Sequence, residues 1–599
     1  MRTRWLAYIL VFAALMVCGY ACKSSGGDGG VSYLNVLQVS PEEGRTDTQV
    51  ATRIGFQIDT FNDESTLNFD TFVVTDSQGN QVLGELVLDA EDRRVAVLTP
   101  SEPLSVITNY TATISAELMD TAGNTLEEPF SWSFMTIDSE WGADEWLEST
   151  GVGRSDKHQI VVDGESNALS VWEFKPELSG TESGIWANRY TRVDLWGVPV
   201  QIDAGDGGST NPDLAVDATG NAFAVWEEVD ESFKASIWSN RYTVDHGWGT
   251  PEPVQGFQLS SRGVSVGVDE DGNAIAVWLE IDALGSPSFF VWAARYESGS
   301  GWGTQVRIDG EPASSSVGQA TDIEFDGNGN AIALWNEITV PEGGVGRGEV
   351  LWVNRYVAGD GWQTPRMIKA DGNTRARSWR LNVGTNGEAH VVWVQYVEAG
   401  VEERHDIWSA HYNPGSNWDT TDWSEPVRID SYDGSDDCAM SNVDCDVDGN
   451  KESPDVAIDA NGVAHAVWSQ ADQKIPQADF VNIYANRFTS GSWGTPVLIE
   501  PANEDPTEDA DATQPGVETN TRGNTFVVWR QNWEGWGSIW SNRIDPDQEW
   551  DPTRAELIEV SARGAKDPKL AVDENRHAHA AWLHSVDTEV RRVRTSRFE

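Results

Sequence analysis

The sequence predicts an all-β chain, a small β-sandwich followed by an eight-bladed β-propeller. Three observations lead there. Trp recurs at a regular interval through the last 460 residues or so, and the chain holds 29 of them in 599 residues. Short β-rich runs alternate with Gly- and Asp-containing turns from about residue 33 onward. Beyond the N-terminus no run approaches the ~18 apolar residues of a membrane helix.

Composition narrows the function. The 96 acidic and 41 basic residues give a formal charge of −55. A charge of that sign repels phosphate, which excludes sequence-independent nucleic-acid binding and binding to acidic lipid through a basic patch. The 39% hydrophobic content and the many Trp exclude intrinsic disorder.

The N-terminus carries an address. Arg2 and Arg4 precede an apolar run of 14 residues, Trp5 to Cys18, the length of a signal-peptide core. Gly19-Tyr20-Ala21-Cys22 follows, then a Gly/Ser linker over 23–32. Residues 1–22 resemble a bacterial lipoprotein signal, which implies lipid attachment at Cys22; Lys23 then implies sorting to the outer membrane. The family usually has Leu where Gly19 stands. Gly-x-Ala also suits an ordinary signal peptidase, which would leave Cys22 unlipidated, and a retained anchor is the third reading.

Residues 33–137 form the sandwich. Ile54–Ile58, Phe72–Thr75, Arg94–Leu98, Tyr110–Ile114 and Trp132–Phe134 read as strands, separated by turns such as Asp120-Thr-Ala-Gly-Asn124. With Ser40-Pro41, Thr99-Pro100 and the closing Trp132-Ser-Phe-Met-Thr136, the segment resembles the bacterial Ig-like domains of surface-layer and adhesin proteins. The resemblance implies a spacer.

Residues 138–599 form the propeller. Aligned on Trp172, Trp226, Trp278, Trp335, Trp393, Trp468, Trp529 and Trp582, the chain places Asp or Asn nine residues earlier in seven repeats and Gly six residues earlier in six. The carboxylate or amide accepts turn N–H groups and Gly supplies a positive φ. An Ile-Trp-x-Asn-Arg-Tyr block and a Trp-Gly-Thr-Pro block follow, so each repeat has four short strands, the mark of a propeller. The eighth repeat stops at its third strand, and residues 140–148 supply the missing fourth. Seven blades is the alternative if one repeat is irregular.

Candidate functional residues are weighed against scaffold roles. The Trp-Gly column, Trp248, Trp302, Trp362 and Trp493, offers aromatic faces for sugar stacking or wedge packing between blades. Arg189, Arg241, Arg295, Arg355, Arg487, Arg543 and Arg597 read as cross-strand partners of Glu228, Glu280, Glu337, Gln395, Gln470 and Gln531. Propeller repeats of this kind are similar to those of sialidases and lectins. A sialidase Asp-box, however, has five residues between Asp and Trp, where the interval here is nine, and an Arg in nearly every repeat is unlike its triad. His390, His465 and His579 share one position and read as core residues ahead of a metal set.

The entry to repeat six is exceptional. Asp444, Asp446, Asp448 and Asn450 match the opening of an EF-hand-like loop and Asp455 holds its twelfth position, which makes calcium the candidate cofactor. Cys438 and Cys445 read as a small-loop disulfide, with a metal thiolate pair as the weaker alternative. No Gly-x-Ser-x-Gly, phosphate loop or His-Glu-x-x-His is present. The expectation is a lipid-anchored, exported recognition protein that binds an extracellular glycan or protein and no nucleic acid. A carbohydrate hydrolase or lyase and a structural envelope subunit are the alternatives.

Overall fold

The computed structural model describes residues 33–598 except 46–47, 49–52, 90–91, 102–103, 105–107, 137–139, 149–152, 177–182, 194, 205–207, 231, 256–259, 283–287, 311–315, 340–347, 369–373, 400–401, 415–417, 419–421, 431–452, 473–479, 502–510, 534–535, 547, 560–563 and 588–589. The chain divides into two units, residues 1–139 and 140–599. Apart from two short 3-10 turns, every helical or extended element of the described residues is a strand.

In the first unit, alternating apolar residues build two sheets. Val36–Ser40, Ile54–Ile58, Val95–Pro100 and Gly84–Leu88 form one, in that spatial order. Phe72–Asp76, Asn109–Ile114 and Phe130–Met135 form the other. Ile54, Phe56, Ile58, Ala96 and Leu98 from one sheet meet Phe72, Val74, Tyr110, Ala112, Ile114, Trp132 and Phe134 from the other in a single core. This is sandwich packing, with one face of each sheet buried. Asp120 closes its turn as expected, accepting from the N–H groups of Ala122 at 2.9 Å and Asn124 at 2.8 Å.

The second unit repeats one antiparallel design. Every aligned Trp lies on the second strand of its repeat and is at most 1% exposed. At the preceding turn, Asp217 Oδ1 accepts from Thr219 and Asn221, and Asp163, Asp269, Asp326, Asp459, Asn520 and Asp573 do the same in their repeats. Gly220 has φ +88° there; Ser166 and Arg576, which replace Gly in repeats one and eight, adopt +66° and +68°. The turn therefore dictates the backbone, and Gly is the low-strain way to meet it.

Successive repeats are tied by two side-chain columns. Asn188, Asn240, Asn354, Asn486 and Asn542 donate to the carbonyls of Leu147, Ile202, Ile308, Ile429 and Ile499 at 2.7–2.9 Å. The last four acceptors end the fourth strand of the preceding repeat; Leu147 occupies the same place for repeat one, although it precedes the repeats in sequence. Glu145 and Trp146 pair with Thr595 and Arg594 of repeat eight.

The Arg column departs from the expectation. Six of these side chains reach an aromatic residue of the repeat that follows in space. The register sets the Arg opposite the residue three before the second-strand Trp, not opposite the Glu or Gln two after it. Arg189 and Arg355 donate to the hydroxyls of Tyr242 and Tyr412, each at 3.0 Å. Arg241 lies 5.6 Å from the ring centre of Tyr296, Arg543 lies 4.5 Å from that of Phe598, and Arg597 of repeat eight lies 4.6 Å from that of Tyr190 in repeat one. The Gln residues instead accept from their own repeat's Trp, as Gln395 does from Trp393 at 2.9 Å. A planar cation over an aromatic face is favoured when half-desolvated, and the third-strand Tyr supplies that face.

Candidate functional site

The first strand of each repeat pairs along its length with the second strand alone; in repeats one and five a single parallel bridge, at Arg154 and Arg375, also joins it to the third strand of the preceding repeat. The first strands are Arg154–Val162, Gly208–Val216, Ser260–Val268, Ser316–Phe325, Thr374–Val383, Asp455–Ile458, Ala512–Thr519 and Ala565–Val572. Residues from all eight line one cavity of 960 Å³. The register identifies a matching position in every repeat, the partner of the residue before the second-strand Trp. It holds Gln159, Asp213, Ser265, Asp322, Arg380, Asp455, Gly516 and Lys569.

A bulge sets that position. Two residues earlier, Lys157, Asn211, Gly263, Ser378, Gln514 and Asp567 all adopt φ between +47° and +63°. The register of the first strand shifts at the same point in these six repeats. An extra residue there bends the strand and re-aims the side chain that follows. Pro212, Pro515 and Pro568 sit inside the bulge, where a missing N–H costs no ladder bond.

The ring residues alternate in role. Asp213 accepts from Val266 N–H at 2.9 Å and from Gln159 Nε2 at 3.3 Å. Asp322 accepts from Leu381 N–H at 3.4 Å and Asp455 from Val517 N–H at 2.9 Å. Repeats two, four and six thus each satisfy an inner-edge amide of the repeat that follows. An edge strand facing a cavity has such donors to satisfy. Repeat eight breaks the series with Lys569.

Electrostatics follow burial. Desolvation pushes the Asp213 and Asp322 carboxyls up to about 6. Glu518 is pushed up to about 8 by burial and then by Asp455, and Glu324 lies well above the usual range by burial and then by Asp322. Lys569 is lowered by burial first and by Arg380 second. At neutral pH a Glu518 carboxyl held up to about 8 keeps its proton, so the cavity offers a donor as well as acceptors.

The residues singled out from sequence fall in different places. Trp248, Trp302, Trp362 and Trp493 are half-buried. Each sits edge-on to an aromatic of its own third strand, at 5.5 Å for Tyr242, 5.6 Å for Tyr296, 5.7 Å for Tyr356 and 5.5 Å for Phe488. Trp302 Nε1 also donates to Ser239 in the preceding repeat at 2.8 Å. None of the four lines the cavity. His390, His465 and His579 are buried, and desolvation lowers them to about 3, 3 and 4, so they stay neutral.

Cys22, Cys438, Cys445, Asp444, Asp446, Asp448 and Asn450 lie outside the described residues. Asp455 is described. Its Oδ2 accepts from Val517 N–H at 2.9 Å and its Oδ1 lies 3.9 Å from Arg380. Among the described residues no group of three or more His, Cys, Asp or Glu is placed to hold a metal ion.

Sequence reading missed the ring itself. The recurring Pro on the first strand, as in Asn211-Pro-Asp213 and Asp567-Pro-Lys569, was its available signal.

Residues 31–136 match the family model of the bacterial Ig-like domain. No curated protein matches the chain. Solved structures similar to it include an ulvan lyase from a new family of polysaccharide lyases, at 8% identity and a TM-score of 0.43, covering 71% of this chain and 98% of that one. A lectin from Burkholderia pseudomallei is 13% identical with a TM-score of 0.36, covering 64% and 98%. A protein of unknown function from Dyadobacter fermentans is 9% identical with a TM-score of 0.37, covering 77% and 99%. Among the described residues no helix is long and apolar enough to cross a membrane.

Proposed function

We propose that this chain is an exported recognition protein that binds an extracellular glycan in the cavity at the axis of its repeats. The repeats form an eight-bladed propeller closed by residues 140–148, and the Ig-like domain is a spacer. Cys22 carries the lipid that holds the chain at the outer membrane. The observation that carries the reading is the cavity: eight strands converge on 960 Å³ lined by carboxyls, amides, hydroxyls and the cations of Lys157, Arg377, Arg380 and Lys569. Polar groups of both kinds, fixed on rigid strands, suit the dense hydroxyls of a saccharide.

The test is a glycan array probed with the full chain, with calcium and again with EDTA. Binding to a defined glycan that falls when Asp322 is changed to Asn supports the reading; silence in both conditions ends it. Loss of binding with EDTA alone would point to calcium at Asp444, Asp446, Asp448 and Asn450. The lipid is checked separately. Radiolabelled fatty acid should enter the parent and not Cys22→Ser.

One observation favours a second reading, a carbohydrate-active enzyme. Glu518, held up to about 8, is protonated at neutral pH and has the character of a general acid. Release of new reducing ends from the bound glycan, lost in Glu518→Gln, would establish it.

A further inference from the structure

Lys569 contradicts its own structural position. In repeats two, four and six the matching residue is Asp, and each Asp accepts the amide of the residue after the ring position in the next repeat, namely Val266, Leu381 and Val517. Repeat eight is followed in space by repeat one: His158 Nε2 lies 3.1 Å from the carbonyl of Ala581, and Arg591 donates to Asp156 at 2.8 Å. The amide that an Asp at 569 would serve is that of Ile160. An ammonium has no lone pair and cannot accept it.

A cation at this position therefore cannot do for the backbone what the ring aspartates do; its charge instead acts on Asp213, Asp455 and Glu518. Among the described residues the Lys569 ammonium makes neither an ion pair nor a hydrogen bond; burial first and Arg380 second disfavour its charge, while Asp455, Asp567 and Asp213 favour it from a distance. Arg380, half-exposed to the same cavity, has only a loose carboxylate contact at 3.9 Å, to Asp455. Asp213 and Asp455, the ring carboxylates whose charge reaches Lys569, already spend oxygens on backbone amides. Lys569 and Arg380 thus share one cavity, and among the described residues neither makes an ion pair tighter than the 3.9 Å contact of Arg380 with Asp455. Places where a residue breaks the local rule of its fold are where a functional role is expected.

We propose that Lys569 and Arg380 form an anion subsite in the axial cavity, which takes the carboxylate or sulfate of an acidic saccharide. The assignment rests on the recognition reading above and names its ligand class. A single anionic group held by both cations relieves their mutual repulsion and gives each a charge-assisted partner. The chain's −55 charge opposes the approach of a polyanion at low salt. Salt screens that repulsion, since the Debye length falls to about 3 Å at 1 M. Binding of an acidic glycan should therefore strengthen as salt rises from low values, the reverse of ordinary ion-pair binding.

The experiment measures binding of the full chain to matched oligosaccharide pairs in moderate salt. Sulfated chains are set against their desulfated forms, and uronic-acid chains against their carboxyl-reduced forms; the two arms separate sulfate from carboxylate. The acidic member of one pair should bind about tenfold or more tightly than its neutral form. That preference should vanish in both Lys569→Asp and Lys569→Gln. Lys569→Asp restores the alternation of the ring, so its melting temperature should match or exceed the parent's. Equal affinity for both members of every pair, or a preference that survives both substitutions, overturns the anion subsite and leaves glycan recognition standing. If no oligosaccharide binds at all, both readings fall.

Discussion

The outer and inner strands of the repeat unit obey different rules. On the second and third strands the same residues return in repeat after repeat: a Trp at most 1% exposed, an Asn bridging to the preceding repeat, an Arg over the next repeat's aromatic ring. On the first strand the backbone recurs, bulge included, while the side chain after it changes from Gln to Asp, Ser, Arg, Gly and Lys. Where every interface poses the same packing problem, one solution is copied. Where the side chains converge on a shared cavity, copies would crowd like charges together, so variety is what the axis can tolerate and what a ligand can read.

Four measurements would break or sharpen this contrast. The outer lattice should be the most sensitive to truncation. Trp278→Ala empties a fully buried site between repeats and should cost about 3–5 kcal/mol by chemical denaturation. A loss under ~1 kcal/mol would mean that the wedge is loosely packed and that the Trp columns are free to do something else.

Next comes the closing strand, through its pH dependence. Glu148 is buried, and its carboxyl accepts from Ser155 Oγ at 2.9 Å and from Val593 N–H. Burial holds its pKa up to about 7, against 4.5 for an ordinary Glu. The folded chain therefore keeps a proton that the unfolded chain releases. Stability from this group is fully present below pH 4.5 and is lost as pH rises through about 7, by up to about 3 kcal/mol. Glu148→Gln should flatten that slope between pH 5 and 8. An unchanged difference between parent and variant across the range would show that Glu148 is ionised throughout.

Asn240→Ala leaves the buried carbonyl of Ile202 without its 2.9 Å donor and should cost about 1–3 kcal/mol. The same substitution at Asn188 removes the bond to Leu147, so comparable losses at the two positions would show that residues 140–148 act as a fourth strand like any other. A negligible loss at Asn188 alone would separate that segment from the rest of the lattice. The smallest effect belongs to the Arg column. Arg355→Lys keeps the charge but loses the planar stack and the 3.0 Å bond to Tyr412, for about 1 kcal/mol. An equal loss in Arg355→Ala and Arg355→Lys would assign the whole effect to the guanidinium plane.

Much of the scaffold could be read from the chain because its signals are local. An Asp that closes its own turn and a Gly at positive φ act within five residues, so the turn column is visible in the sequence and is found as expected, from Asp163 to Asp573. The second-strand Trp is equally plain, since a large apolar residue at a fixed interval has to be buried. The Arg column was visible but misassigned. Sequence spacing puts Arg241 and Glu228 on adjacent strands, but the register sets Arg241 opposite Phe223 and Glu228 opposite Ser236, and nothing in the repeat shows that Tyr296 of the next repeat comes within 5.6 Å of the guanidinium.

By itself, the amino-acid sequence determined that this chain is all-β, that a bacterial Ig-like domain precedes a repeated four-stranded unit, and that each repeat turns and packs in the same way. Those features follow from contacts a few residues apart or from one strand to the next. Only the tertiary structure decided what the repeats do together. It brought Asp213, Asp322, Arg380, Asp455, Glu518 and Lys569, more than 350 residues from first to last, onto one cavity. It also turned an unremarkable Asp-Pro-Lys into the one cation in a series of carboxylates. The physical reason is that side-chain charge and exposure at an axis are set by the other strands that reach it, and no single repeat contains them.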